Sequence, residues 1–282
     1  MYQYKSLSLS DHELQQTLSL LKMAWPETKK LTFEYTKWLY RKNPCGRAIG
    51  VNAWHDDQLA GHYTVIPVQV KIDGEIVLAA LSLHTVIHPN HQGKGLFTKL
   101  AEQTYDLAKS QDADHVFGIA NYNSTHGFIN RLEFQLVSPL QSKILFRLPQ
   151  INEDNQVETG WERFWNTEMF KWRISSPSLH YSCYRHGNYS FLYGGPVYGL
   201  PLIMKIDKGF ISQHELQSAL KRSKPKLWIG MDPNLKHSKW SISIPDRLKK
   251  SPFNLIFRSL KQPGRKLDKN RVKFEAIDFD SF

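Results

Sequence analysis

The chain has 282 residues, of which 41% are hydrophobic and 22% charged; that composition fills a core and excludes a disordered or fibrous polypeptide. At roughly 150 residues per domain the length accommodates two modest domains or one large α/β unit. The formal charge is +11, concentrated between Lys205 and Lys273, where 18 Lys and Arg face 5 Asp and Glu; such a surplus attracts phosphates or nucleic acid through its field, yet no nucleic-acid-binding motif accompanies it, so a solvated basic face is expected and nucleic acid is not an expected partner.

Cys45 and Cys183 stand far apart, which gives neither a disulfide framework nor a zinc knuckle. The opening MYQYKSLSLSDHELQQ lacks the charged-then-apolar build of a secretion signal, and no apolar run approaches the ~18 residues needed to span a bilayer. A cytoplasmic location without a membrane span is the expectation.

In chain order, Asp11 followed by Leu14, Leu18 and Leu21 predicts a capped amphipathic helix ending before Pro26, and a second helix is expected over Thr32 to Tyr40. The runs Ala48 to Trp54, Gly61 to Pro67, Val68 to Ile72 and Ile76 to Ile87, split by Asp56-Asp57 and Asp73-Gly74, read as an antiparallel meander. His88-Pro89-Asn90-His91-Gln92-Gly93-Lys94-Gly95 then leads into a helix in which Leu96, Leu100, Leu107 and Ala108 recur at helical spacing. Val116 to Ala120 reads as a buried strand, Asn121 to Ser124 as a polar break before a helical piece ending at Leu132, and 140 to 148 as another strand.

Pro149 to Gly160 is polar and acidic and reads as a linker, dividing the chain into 1–148 and 161–282. Beyond it, Phe170 to Pro177 loosely repeats Lys37 to Pro44, and strands at Tyr181 to Arg185, Tyr189 to Tyr193 and Leu202 to Ile206 precede a helix at Gln213 to Arg222 and a strand at Leu227 to Gly230. The second half thus repeats the order of elements without a Gly-x-Gly turn. Phe274 to Phe282 alternates apolar and acidic residues, as a final strand with one wet face would.

A Gly-rich turn opening a helix exposes backbone N–H groups with no intrahelical partner, and the helix dipole adds positive character there. Such a turn cradles a pyrophosphate. Neither the Walker spacing nor the dinucleotide fingerprint Gly-x-Gly-x-x-Gly occurs. Nor is there a His, Cys and Asp cluster at metal-ligand spacing, so no metal is expected.

The segment from Ile87 to Phe97, with Asn123-Ser124 and the helix end Arg131-Leu132-Glu133-Phe134, resembles the GNAT acyltransferase superfamily. The resemblance covers roughly residues 30 to 145 and implies a mixed α/β (α+β) fold: a mostly antiparallel twisted sheet flanked by helices, with a smaller degenerate GNAT-like second half. It implies that amides from Gln92 through Gly93, Lys94, Gly95, Leu96 and Phe97 to Thr98 hold the diphosphate of acetyl-CoA. Thr85, Val86 and Ile87 would pair with the pantetheine arm, and Asn123 would steady the arm near the sulfur.

This sequence departs from the family pattern in three places. Phe97 stands where the loop's last small residue belongs, Glu133 replaces a glycine, and Phe128-Ile129 stand at the site of the acidic tyrosine. Tyr122 or His126 is then a substitute acid, unless the thiolate leaves without one. His84, on the strand entering the loop, is the candidate base, its other reading being a half-buried strand histidine bonded to a neighbour. A packed final strand is the expected use of the last residues, while a resemblance to tandem GNAT-like proteins, in some of which the terminal carboxylate serves as base, implies Phe282 as a further candidate. The implied activity is acetyl transfer to a small-molecule amine, and a resemblance to GNATs of surface-polysaccharide or amino-sugar biosynthesis points to an amino sugar. The alternative is a silent CoA-binding scaffold whose basic half docks an anionic partner; oligomeric state is left open.

Overall fold

A computed structural model describes residues 1–154, 156–209, 224–245, 248–249 and 251–279. The first half runs β1 (Gln3–Ser6), α1 (Asp11–Ala24), α2 (Phe33–Arg41), β2 (Ile49–His55), β3 (Gln58–Ile72), β4 (Glu75–Ile87), α3 (Leu96–Ser110), β5 (His115–Ala120), α4 (Tyr122–Arg131), β6 (Gln135–Pro139) and β7 (Gln141–Leu145). The rest comprises β8 (Gln150–Ile151), β9 (Trp161–Arg163), α5 (Thr167–Ile174), β10 (Ser182–His186), β11 (Tyr189–Val197), β12 (Leu200–Asp207), β13 (Lys226–Met231), β14 (Leu235–Lys236), β15 (Ser241–Ser243), β16 (Asn254–Ser259) and β17 (Val272–Glu275). The expected helix at Gln213 to Arg222 lies outside the described residues, as does Phe282.

The two leading helices start where a side chain satisfies an orphan amide: Ser10 Oγ accepts from Glu13 N, and Thr32 Oγ1 from Tyr35 N at 3.2 Å. Leu14, Leu18 and Leu21 are buried on the face of α1 that covers the sheet. The hairpin turns at Asp56-Asp57 and Asp73-Gly74 have positive φ throughout, the backbone that tight hairpins demand.

Two expectations change. The runs on either side of Pro67 form one strand, β3, because Pro67 falls between the stretch paired with β2, which ends at Val65, and the stretch paired with β9, which begins at Val70; the missing N–H breaks no ladder bond on that edge. At the other end, the strand stops at Glu275 and a single 3₁₀ turn covers Ala276–Asp278. The expected wet face is absent there because Glu275 and Asp278 are as buried as Phe274 and Phe279. Glu275 accepts from Lys205 Nζ at 3.1 Å and Ile206 N at 2.8 Å, while Asp278 accepts from Trp165 Nε1 at 3.0 Å and Glu275 N at 2.6 Å. With Arg173 donating to Phe279 O, these bonds pin the end of the described chain.

The sheet is mixed and mostly antiparallel, flanked by helices. β2, β3 and β4 form an antiparallel meander, β4 runs parallel to β5, and β16 pairs antiparallel with both β5 and β6. β10, β11 and β12 form a second meander that passes through β13 to β17, β9 and back to β3. Strands therefore cross between the halves, and β8 in the connecting segment pairs with β14. No described helix is long and apolar enough to cross a membrane.

Candidate active site

β4 and β5 are paired only from Ala80 to Ser82 against Val116 to Gly118. Past that point β5 keeps its partner β16, and β4 keeps β3, so the two strands splay. Among the described residues, the edge of β4 from Leu83 to Ile87 that faces the gap has no strand partner. The splay coincides with a bulge: Thr64 pairs with Leu83 and His62 with Val86, leaving His84 and Thr85 opposite the single residue Tyr63. His84 adopts φ +51°, a left-handed conformation that costs a β-substituted residue on the order of 1–3 kcal/mol and that structures retain mainly at functional positions.

The loop after β4 ends in Gly95, whose φ of +75° makes it the left-handed N-cap of α3 without a side-chain cap. No atom lies within 4 Å of where a Cβ would stand on Gly95. The first intrahelical bond belongs to Lys99 N, so among the described residues the amides of Gly93, Lys94, Gly95, Leu96, Phe97 and Thr98 have no protein acceptor. They open at a helix N-terminus, where the dipole favours anions. His91, 6% exposed, props this corner by a 2.7 Å bond between its Nδ1 and the Tyr2 hydroxyl. Burial and nearby Lys94 hold its pKa below the usual imidazole value.

Two cavities meet the splay. One, of about 430 Å³, is lined by Thr85 to Ile87, His91 to Gly93, Gly95 to Phe97, Asn123, His126 and Arg131, among others. The other, of about 280 Å³, is lined by Trp25, Lys30, Leu31, Leu83, His84, Ile119, Phe253 and Phe279, among others. Asn121, the N-cap of α4, borders both.

The profile of the GNAT acetyltransferase domain matches residues 5–137, the span that builds the loop and the splay. That span is just under half of the chain. No curated protein matches the sequence significantly. The fold is similar to a probable N-acyltransferase from Enterococcus faecalis at 12% identity and TM-score 0.62, over 93% of this chain and 73% of that one. It is also similar to a GCN5-related N-acetyltransferase from Anabaena variabilis at 12% identity and TM-score 0.62, over 91% and 72%. Eis1 from Mycobacterium abscessus matches at 12% identity and TM-score 0.58, over 92% and 73%.

Within the matched span the residues expected to hold coenzyme A converge, except that Lys94 and Thr98 contribute no lining to the larger cavity. The expected catalytic residues separate. His84 lines the smaller cavity and His126 the larger; Tyr122 is 79% exposed and borders neither. His84 Nδ1 lies 3.0 Å from the Tyr40 hydroxyl, and burial with repulsion from Lys30 and His62 drives its pKa well below that of a free imidazole. His84 therefore stays neutral, as a proton acceptor must be. The sequence analysis missed Asn121, readable as a helix cap, and the buried Tyr40 and His62, which carry no local signal.

Proposed function

We propose that this protein moves an acyl group, acetyl being the expected one, from coenzyme A to a primary amine by direct attack within a ternary complex. The observation that carries the reading is that the splay of β4 and β5 lies between a cavity lined by Gly93, Gly95, Leu96 and Phe97, four of the six residues with unclaimed amides, and one lined by His84, with Asn121 bordering both. Bound acyl-CoA supplies the activated thioester carbonyl.

The amides from Gly93 to Thr98, the α3 dipole and the Arg131 guanidinium bind the diphosphate. The free edge of β4 from Thr85 to Ile87 takes the pantetheine arm as an added strand, with Asn123 steadying it near the sulfur, and an amide of that edge polarises the carbonyl. His84 removes the proton from the acceptor nitrogen as the C–N bond forms, when that nitrogen is far more acidic than a free ammonium. A thiol pKa near 8.5 makes the thiolate a tolerable leaving group, and His126 protonates it.

The acceptor-side wall is mostly apolar, with Trp25, Leu31, Leu83, Ile119, Phe253 and Phe279. It favours a primary amine on a partly apolar or aromatic body, with Thr28, Ser82, Asn121 and Ser251 as the polar partners in the same lining.

Calorimetric titration with acetyl-CoA and thiol release across a panel of arylalkylamines, amino acids and amino sugars test the proposal. Saturable binding, with release only when an amine is present and a loss of about 10²–10⁴-fold in His84→Ala, is expected. Absence of binding overturns it; binding with every amine silent favours the scaffold reading.

A further inference from the structure

A line of buried polar side chains links the first turn of α1 to His84. Glu13 Oε1 accepts from Asn52 Nδ2 at 2.6 Å and from Ser8 N at 3.1 Å. Asn52 Oδ1 lies 2.6 Å from His62 Nδ1, His62 Nε2 lies 3.0 Å from the Tyr40 hydroxyl, and that hydroxyl lies 3.0 Å from His84 Nδ1. Asn52, His62 and Tyr40 are inaccessible to solvent. Four separate elements, α1, α2, β2 and β3, thus converge on the bulge of β4.

The polarity of each bond follows from the one before it. A carboxylate offers only lone pairs, so Asn52 must turn its NH₂ to Glu13 and its carbonyl oxygen to His62. That oxygen can only accept, so His62 Nδ1 carries a proton. Burial pushes the His62 pKa down to about 3, so the ring is neutral and its Nε2 is bare. The bare nitrogen can only accept, and the Tyr40 O–H must donate to it. With its single proton committed, the Tyr40 oxygen accepts from His84 Nδ1–H.

We infer that Glu13, Asn52, His62 and Tyr40 are positioning residues that lock His84, which lines the acceptor cavity, in its Nδ1–H tautomer and leave Nε2 as its unprotonated nitrogen. The reverse tautomer would present an N–H to the acceptor amine and could take no proton from it. The catalytic use of this lock rests on the proposed role of His84 as base; the tautomer follows from the hydrogen-bond polarity and the buried, neutral ring of His62.

Long-range ¹H–¹⁵N correlation on the full chain labelled with ¹⁵N-histidine reads the tautomer directly, with the His84 signals assigned by their loss in His84→Gln. The expected result at neutral pH is a protonated Nδ1 and a bare Nε2 for His84, and the same for His62. An Nε2–H tautomer at His84 overturns the inference. In Tyr40→Phe the lock is removed, and the His84 Nδ1–H pattern is expected to be lost to the opposite tautomer or to a mixture; an unchanged His84 pattern overturns the positioning role. Where Tyr40→Phe does not fold, the wild-type tautomer decides. A confirmed Nδ1–H tautomer together with full amine acylation by His84→Gln supports the lock and removes His84 from the proposed chemistry, so the two failures are distinct.

Discussion

Gly127 on α4 lies against the ring of Phe97, close enough that a Cβ at Gly127 would come within 3.0 Å of Phe97 Cε1. The ring also meets Phe128 edge-on, with centroids 5.3 Å apart, and Tyr63 at 6.2 Å. The bulky residue in place of the small one that the GNAT loop pattern calls for is thus packed against α4 and β3. The absence of a side chain at Gly127 is what makes room for it.

Gly127→Ala therefore separates stability from ligand affinity. Alanine gains up to about 1 kcal/mol of helix propensity over glycine, which offsets the strain of displacing Phe97, so the urea midpoint is expected to stay within about 0.5 M. Phe97 borders the larger cavity, and its displacement is expected to weaken acetyl-CoA binding by about 3–10-fold, or near 1 kcal/mol. Unchanged calorimetric affinity would show that the Phe97 ring does not shape the coenzyme site.

Gly95 tests the loop itself. Its φ of +75° penalises any side chain, though nothing stands within 4 Å of a Cβ there. Gly95→Ala is expected to cost about 1 kcal/mol of stability through strain. Gly95→Asp adds a negative charge among the free amides and is expected to weaken acetyl-CoA binding well over tenfold, or more than about 1.4 kcal/mol. Equal affinities for the two variants would mean that no anion sits at this helix start.

The loop and its helix were legible because their signals are local: two glycines, then Leu96 and Leu100 at helical spacing. The Asp73-Gly74 hairpin was legible for the same reason. What stayed hidden depends on residues far apart in the chain. β16 pairs Ile256 with Gly118 and Leu136, a register that no short window encodes. Tyr40, His62 and His84 come from three elements, and only the fold shows that the half-buried, bonded histidine and the cavity-lining one are the same His84. The acidic residues of the final segment read as a wet face because their partners Lys205 and Trp165 lie elsewhere in the chain.

Glu133, which stands in place of the glycine of the GNAT signature, retains the conformation that glycine would serve: φ is +56° and the side chain is exposed. Left-handed backbone costs an ordinary residue roughly 1–2 kcal/mol, against roughly 0.5–1 kcal/mol of entropy that glycine loses on folding. Glu133→Gly is therefore expected to stabilise the protein by about 0.5–1 kcal/mol without altering acetyl-CoA affinity. A lower Tm would indicate that the Glu133 carboxylate contributes more than the relief of strain.

Acid stability follows from histidines held neutral by burial. The His62 pKa is pushed down to about 3 by burial, that of His237 to about 4 by burial and repulsion from Lys143, and those of His84 and His115 fall in the same direction, the latter against the pull of Asp114. Each folded value lies below the unfolded value near 6.5, so below that pH the unfolded chain binds more protons and stability falls. The contribution is complete above about pH 6.5 and declines toward the folded values. For fully buried His62 the loss by pH 5 is about 2 kcal/mol, from ~1.5 pH units at 1.36 kcal/mol each. Asp278, its carboxyl raised by burial and by Glu275, and Asp232, raised by burial, take up protons earlier in the folded state and work the other way. Urea titrations at pH 7 and pH 5 are thus expected to differ by about 2 kcal/mol or more in favour of neutral pH, and a flat profile would mean that these histidines gain protons within the folded protein.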